Sequence, residues 1–368
     1  MNPSASSRIA TLVPALGWLK GYQRGWFRGD LVAGITLAAY LMPAGIGDAS
    51  LAGLPPAAGL YACLFSGFVF WLFTSSKQTT VTVTSAISLL VGSTLGPIAG
   101  GDPAHYAAMA ATTAVMVAAL ALLACLFRAG AVVNFISESV LIGFKCGVAL
   151  YLASSQLPKL CGVKGGHGDF WEKSATFIRH AGETNPASLA MGAVALAVLF
   201  LGKYLLPRVP WALVVVIAGL LIGGNIDLAG RGVKMLGEVP QGLPPIGVHV
   251  MERADLNNLL PLAMACFLLG AVETAAIGRM FARKHEYRLD SNQEFLALAG
   301  ANLAAGLGQG FPTSGGMSQS LVNESSGAKT PLSGFISSVL ILLVILFLSS
   351  LLRYLPQPVL AGFMRILS

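Results

Sequence analysis

Residues 308–331 read GQGFPTSGGMSQSLVNESSGAKTP. They lie between two long apolar runs, near 293–307 and 332–352, yet they are crowded with Gly, Pro, Ser and Thr. The surrounding chain is a membrane sequence. Of its 368 residues, 55% are hydrophobic and 11% charged, and the mean hydropathy is +0.73. A soluble domain carries about 25% charged residues, so the bilayer is the solvent to reason with. Lipid cannot satisfy the backbone groups that such a helix-breaking stretch leaves open. The stretch can sit at membrane depth only if it is buried in protein or lines a wet cavity.

Working outward, apolar runs that span or partly span a bilayer occur about twelve times. They lie near 29–47, 56–74, 84–97, 105–127, 132–155, 187–206, 211–224, 257–278, 293–307, 316–326, 332–352 and 356–367. The third and tenth fall short of the roughly 20 residues a full span needs. The third follows TSSKQTTVTVTSAIS (74–88), and the tenth follows GFPTSGGMSQS (310–320). Alternation in TVTV (80–83) reads as a short extended strand. The third run begins about 55 residues after the first, and the tenth about 59 after the eighth. Two halves thus carry one defect at one relative place. Interrupted helices at matching positions of two halves are the sequence pointer to a transporter binding site.

Charge sets the orientation. Residues 1–28, with Trp18, Lys20, Tyr22, Arg24, Trp26 and Arg28, form an interfacial lead-in without signal-peptide features. GRMFARKHEYR (278–288), Arg128 and GKYLLPR (202–208) fall on the same, cytoplasmic side. The opposite loop GPIAGGDPAHY (96–106) has no Lys or Arg. The long loop 156–186 breaks the pattern, placing Lys159, Lys164, Lys173 and Arg179 outside. The net charge of +7 is dispersed over helix ends, which argues for topology and against nucleic acid. The five cysteines do not cluster and read as packing residues, and P-loop, HExxH, CxxC and GxSxG motifs are absent. No cofactor and no metal are expected, and the chain does not read as an enzyme.

A helix that starts at mid-membrane presents unpaired N–H groups and about half a positive charge, a ready anion site. At the third run the candidate residues are Thr84 and Ser85, with Ser88 one turn on; at the tenth they are Ser314, Gly315, Gly316 and Ser318. The bland alternative is that small residues merely let helices pack closely. Glu273, in CFLLGAVETAAIG (266–278), is an intramembrane carboxylate suited to exchange a proton or hold a cation; otherwise it pairs with a basic neighbour. Asp48, in PAGIGDASLAG (43–53), lines the same cavity, caps a turn or sits in water. Lys145 reads as a partner of Glu138 or as snorkelling to the interface. RLDSNQEF (288–295), with Asp290, Asn292 and Glu294, reads as a polar cytoplasmic loop whose Asp290 or Ser291 caps the next helix.

Several segments resemble the SulP anion transporters, the solute carrier 26 family. They are residues 28–73, FISESVLIGFKCG (135–147), GEVPQGLPP (237–245), LDSNQEFLALAGANL (289–303) and GAKTPLSG (327–334), in family order. The resemblance implies an all-α integral membrane fold of two inverted seven-helix repeats, with short extended segments before half-helices 3 and 10. It divides the chain into the lead-in (1–28), core helices 1–4 (29–128), gate helices 5–7 (129–225), a loop (226–256), core helices 8–11 (257–352) and the start of a second gate half (353–368). The anion would sit between the half-helices, near Pro43 and Ala44 of the first helix. Glu273 matches the helix-8 Glu implicated in proton coupling in some members. Departures are Ala44 and Asp48, where many members carry Gln and Tyr; Thr82-Val83, where they carry Gly-Pro; and Gln319, where many carry Arg. Helices 13 and 14 and a cytoplasmic STAS domain do not follow residue 368, so the chain reads as truncated near helix 12.

The expected function is secondary transport of sulfate, bicarbonate or a dicarboxylate by elevator-type alternating access, coupled to protons through Glu273 with Asp48. The expected setting is a homodimer in a bacterial inner membrane. The rivals are a channel-like anion uniporter of the same fold, a transporter of nucleobase type, and a non-transporting scaffold or fragment.

Overall fold

Two apolar helices stop short of a bilayer's depth, and the architecture is arranged around them. The computed structural model describes residues 12–130, 138–166, 170–206, 211–237, 239–249 and 251–367. A short α1 (Pro14–Lys20) precedes α2 (Arg24–Leu51) and α3 (Pro56–Phe73). Strand β1 (Val81–Thr82) then leads into α4 (Ser85–Ile98), followed by α5 (Pro103–Leu126). Next come α6 (Glu138–Cys161), α7 (Phe170–His180), α8 (Pro186–Leu205) and α9 (Trp211–Asn225). The remainder is α10 (Arg253–Lys284), α11 (Ser291–Leu307), β2 (Ser314–Gly315), α12 (Met317–Ser325), α13 (Leu332–Leu352, with a π turn over Val344–Leu348) and α14 (Gln357–Leu367).

Among the described residues, α2, α3, α5, α10 and α13 are long and apolar enough to cross a membrane. At 1.5 Å per residue, α4 is about 21 Å long and α12 about 14 Å, against a hydrocarbon core of about 30 Å. Helix starts follow the local chemistry. Asp102 accepts from Ala104 N (2.9 Å) ahead of Pro103. Asn185 accepts from Ser188 N (3.0 Å) ahead of Pro186. Asp290 accepts from Asn292 N and Gln293 N and caps α11, as the sequence predicts.

Helices α2, α3, α5, α10, α11 and α13 pack on one another around the two half-helices, whereas α14 packs on α6 and α8, and α9 on α8. The two groups meet along α2, which touches α9 and α14. Backbones come close where α2 crosses α3. A Cβ on Gly59 would lie 1.9 Å from the Gly45 carbonyl oxygen, so only glycine fits there. On α8, Phe200 and Leu201 are 72% and 54% exposed, a face that lipid accommodates.

Three expectations are corrected. Helix α11 begins at Ser291, so Glu294 lies in its first turn and is buried rather than in a loop, because the capping by Asp290 starts the helix early. The outer loop 156–186 contains α7, whose polar and apolar residues alternate at helical period, and α6 itself runs on to Cys161. The apolar run placed near 257–278 is part of a longer α10, which continues to Lys284. The suggested pairing of Lys145 with Glu138 involves side chains outside the described residues.

Candidate functional site

The two polar stretches satisfy each other. Val81 pairs with Gly315 and Thr82 with Ser314 in an antiparallel ladder, the strand that TVTV predicts. Side chains complete the backbone bonding on both sides. Ser66 Oγ donates to Val81 O (3.1 Å), Thr80 N to Ser320 Oγ (3.0 Å) and Asn323 Nδ2 to Gln78 O (3.0 Å). Asn302 Oδ1 accepts from Thr313 N (2.9 Å) while its Nδ2 donates to Thr313 O (3.0 Å). Gly315 N donates to Thr274 Oγ1 (2.9 Å). Polar residues at this depth thus serve as hydrogen-bond partners for a backbone that lipid cannot satisfy.

The ladder ends where both half-helices begin. Thr84 is the N-cap of α4 and its side chain does not bond the first turn, and Gly316, the N-cap of α12, has no side chain to do so. The first-turn amides therefore remain as donors, and two positive helix ends converge. Thr84 Oγ1 and Ser314 Oγ lie 2.9 Å apart, and Ser314 Oγ donates to Glu273 Oε2 (3.0 Å). With the Ser314 proton directed at Glu273, the Thr84 hydroxyl donates to Ser314, which makes a relay of three groups. On the other side, Ser85 Oγ donates to Asp48 Oδ1 (2.7 Å). Asp48 and Glu273 are both buried, at 4% and 6% exposure. Of the three placements open for Asp48, the structure has it inside the site, one turn beyond Ala44 on the same face of α2. Pro43 and Ala44 are buried in α2 and bring apolar surface only.

Four residues that the sequence did not single out as site residues belong here. Tyr40, a turn before Ala44, is hydrogen-bonded to Ser318. Thr274 follows Glu273 directly and holds Gly315. Thr82 accepts from Gln319 Nε2 (3.0 Å), which also donates to Val83 O (3.3 Å). Gln319 thereby folds back over Gly316, where a Cβ would lie 1.8 Å from its Nε2. An i, i+4 reading of α2 back from Ala44 would have found Tyr40; nothing in the sequence marks Gln319 as a bridge between the half-helices.

Each approach to the site is pinned by a buried carboxylate. Glu294 (1% exposed) accepts from Ser75 N (2.7 Å), Ser75 Oγ (2.7 Å), Ser76 N (3.1 Å) and Thr74 Oγ1 (3.0 Å), fixing the chain between α3 and β1. Asp30 accepts from Lys329 N (2.7 Å), Thr330 N (3.0 Å), Thr330 Oγ1 (2.7 Å) and Tyr22 Oη (3.0 Å), fixing the chain after α12. The Tyr287 hydroxyl bonds Ser76 Oγ (3.0 Å), and burial pushes its phenol up, so it stays neutral.

Residues 27–367 match the sulfate permease family. A probable sulfate transporter of Mycobacterium tuberculosis is 33% identical over 354 residues, covering 95% of this chain and 63% of its own length. Solute carrier family 26 member 6 of Homo sapiens is 33% identical over 376 residues, covering 95% of this chain and 49% of its own. The chain thus spans from about half to just under two thirds of these relatives. The murine Solute Carrier 26 family member A9 anion transporter, solved in the inward-facing state, superposes with a TM-score of 0.90 at 25% identity, over 100% of this chain and 65% of that one. The transmembrane domain of a cyanobacterium bicarbonate transporter, BicA, superposes at 0.83 and 24% identity over 94% of this chain and 89% of that one, a likeness of fold. The helical transporter fold and the multi-pass membrane setting expected from the sequence are borne out.

Proposed function

The chain belongs to the sulfate permease family, and from that premise we propose that it is the membrane part of a secondary transporter for a small anion. One observation carries the reading. The β1–β2 ladder brings the starts of α4 and α12 together, with Thr84 and Ser314 hydroxyls 2.9 Å apart. An anion there receives first-turn amides and hydroxyls from both half-helices, with Ser85, Gly315, Gly316 and Ser318 lining the same space. The similarity to a probable sulfate transporter and to a bicarbonate transporter favours sulfate or bicarbonate.

Glu273 lies one hydroxyl away, through Ser314. A proton arriving on Glu273 removes the negative charge that opposes the substrate, so anion and proton enter together. Release of the proton on the other side expels the anion. Asp48 acts on the α4 side in the same sense. In this reading α2–α5 and α10–α13 form a core that moves as one body against a gate of α6, α8, α9 and α14, in an elevator motion and as a homodimer. Protons are the coupling ion.

The test is binding of sulfate, bicarbonate, chloride, fumarate and uracil to the purified protein, followed by thermal stabilisation across a pH series. Stabilisation by one anion, lost in Ser318→Trp, supports the reading. Stabilisation by uracil alone refutes it, as does anion stabilisation that survives Ser318→Trp. Downhill flux indifferent to a proton gradient would instead mark a channel-like uniporter.

A further inference from the structure

The outer loop that breaks the charge rule has a counterpart in space. A cavity of about 300 Å³ opens between the end of α2 and the α6–α7 region. Ser50 of α2, Ser155 and Lys159 of α6, Lys173 of α7, Lys234 and Gln357 line it. Three lysines thus line one space, and among the described residues no Asp or Glu lines it. Lys159 Nζ donates to Ser50 Oγ (2.7 Å), and Lys173 donates to the Tyr151 hydroxyl and lies over that ring. These partners are neutral. Among the described residues no salt bridge neutralises Lys159, Lys173 or Lys234. Lys159 and Lys173 are also close enough to repel each other.

Like charges gathered in a pocket raise the local anion concentration. Topology does not account for them, since basic residues belong on the cytoplasmic side. A second cavity of about 230 Å³ shares Ser50, Lys159 and Gln357 with the first and follows α2 inward to Gly47, the neighbour of Asp48. The lysine cavity thus adjoins a second one along the last turns of α2, the helix that also carries Asp48.

We propose that Lys159, Lys173 and Lys234 form a peripheral oxyanion site at the outer seam between α2 and α6, which captures a small oxyanion before it reaches the half-helices. The inference rests on the anion reading given above. The oxyanion supplies a counter-charge: it relieves the repulsion between the lysines and accepts hydrogen bonds from their ammonium groups. Lys159 takes part from α6 while bonded to Ser50 of α2, so capture occurs where the two helix groups meet.

Two measurements test it. The first uses the full chain in nanodiscs and an amine-acylating reagent, with modification read by mass spectrometry. Sulfate, against gluconate at equal ionic strength, should slow acylation of Lys159, Lys173 and Lys234 about tenfold and leave the exposed Lys20 and Lys77 unchanged. Equal rates at all five overturn the proposal, whether or not the protein transports. The second is initial uptake of sulfate by proteoliposomes bearing a Lys159→Gln, Lys173→Gln, Lys234→Gln triple variant. KM should rise about tenfold, within the range of electrostatic steering, with kcat unchanged and the salt dependence of kcat/KM flattened. Wild-type KM and salt dependence overturn the proposal. Uptake without lysine protection removes the peripheral site and leaves the transport reading standing. Protection without uptake does the reverse.

Discussion

Replacing Glu294 with Ala should unfasten the chain that carries the first half-helix. The carboxylate receives four donors: Ser75 N, Ser75 Oγ, Ser76 N and Thr74 Oγ1. They are not equal. Ser76 N keeps a second acceptor in Thr74 Oγ1 (3.0 Å), and the two hydroxyls can turn to other acceptors. Ser75 N donates only to Glu294 among the described hydrogen bonds (2.7 Å), and stranding it costs about 1–3 kcal/mol. Loss of one further charge-assisted bond adds about 1.5–3 kcal/mol. The expected cost is therefore about 2.5–6 kcal/mol. Glu294→Gln keeps one acceptor oxygen for Ser75 N and should lose about 1–2 kcal/mol. Equilibrium unfolding in mixed micelles reads the stability, and sulfate uptake reads the site. The Ala variant should also raise KM, because residues 74–80 lead directly into β1 and α4. If the Ala variant unfolds within about 0.5 kcal/mol of wild type, below the worth of a typical hydrogen bond, the carboxylate does not hold the loop.

Four further outcomes follow. Glu273→Gln should abolish the pH dependence of uptake while anion binding persists; an unchanged pH profile in vesicles removes its coupling role. Asp48→Asn removes the ionised form of the carboxyl at the α4 end and should tighten sulfate binding about tenfold, or about 1.4 kcal/mol, at alkaline pH while leaving it unchanged at acid pH, measured by titration calorimetry. Gln319→Arg puts a cation between the half-helices; at about 6 Å and an effective dielectric of about 20 this is worth about 3 kcal/mol, so sulfate should bind more tightly and uptake should depend less on pH. Gly59→Ala forces α2 and α3 apart at Gly45 and should cost about 1–3 kcal/mol from overpacking, despite the roughly 1 kcal/mol by which Ala favours a helix; an unfolding midpoint at or above wild type would refute the close crossing.

Much of this was legible before any coordinates. Hydropathy alone places the spans, because lipid imposes one length on every crossing helix. The two short helices and their strands follow from Thr, Ser, Gly and Pro standing where no lipid-facing helix tolerates them. Glu273 stands out because an unexplained charge in an apolar run is conspicuous. Glu294 did not stand out, because a carboxylate beside Asp290 and Asn292 looks like a wet loop. Its burial depends on residues 74–76, more than 200 positions away. Tyr40 and the bridging role of Gln319 were missed for a related reason. Their partners, Thr82 and Ser318, meet them only after both halves have folded together. Local pattern reports which face of a helix is apolar, and it is silent on which distant backbone a polar side chain will meet.

The ladder between β1 and β2 consists of only two residue pairs. Side chains alternate across a strand, so a slip of one residue turns every side chain over. A one-residue insertion or deletion between Thr79 and Thr84, or between Phe311 and Gly316, would take Ser314 away from Glu273 and Thr84 together. Surface turns such as 99–102 carry no such phase. Length variation among functional descendants of this chain should therefore gather in its turns and leave these two stretches unchanged in length, even where their letters drift.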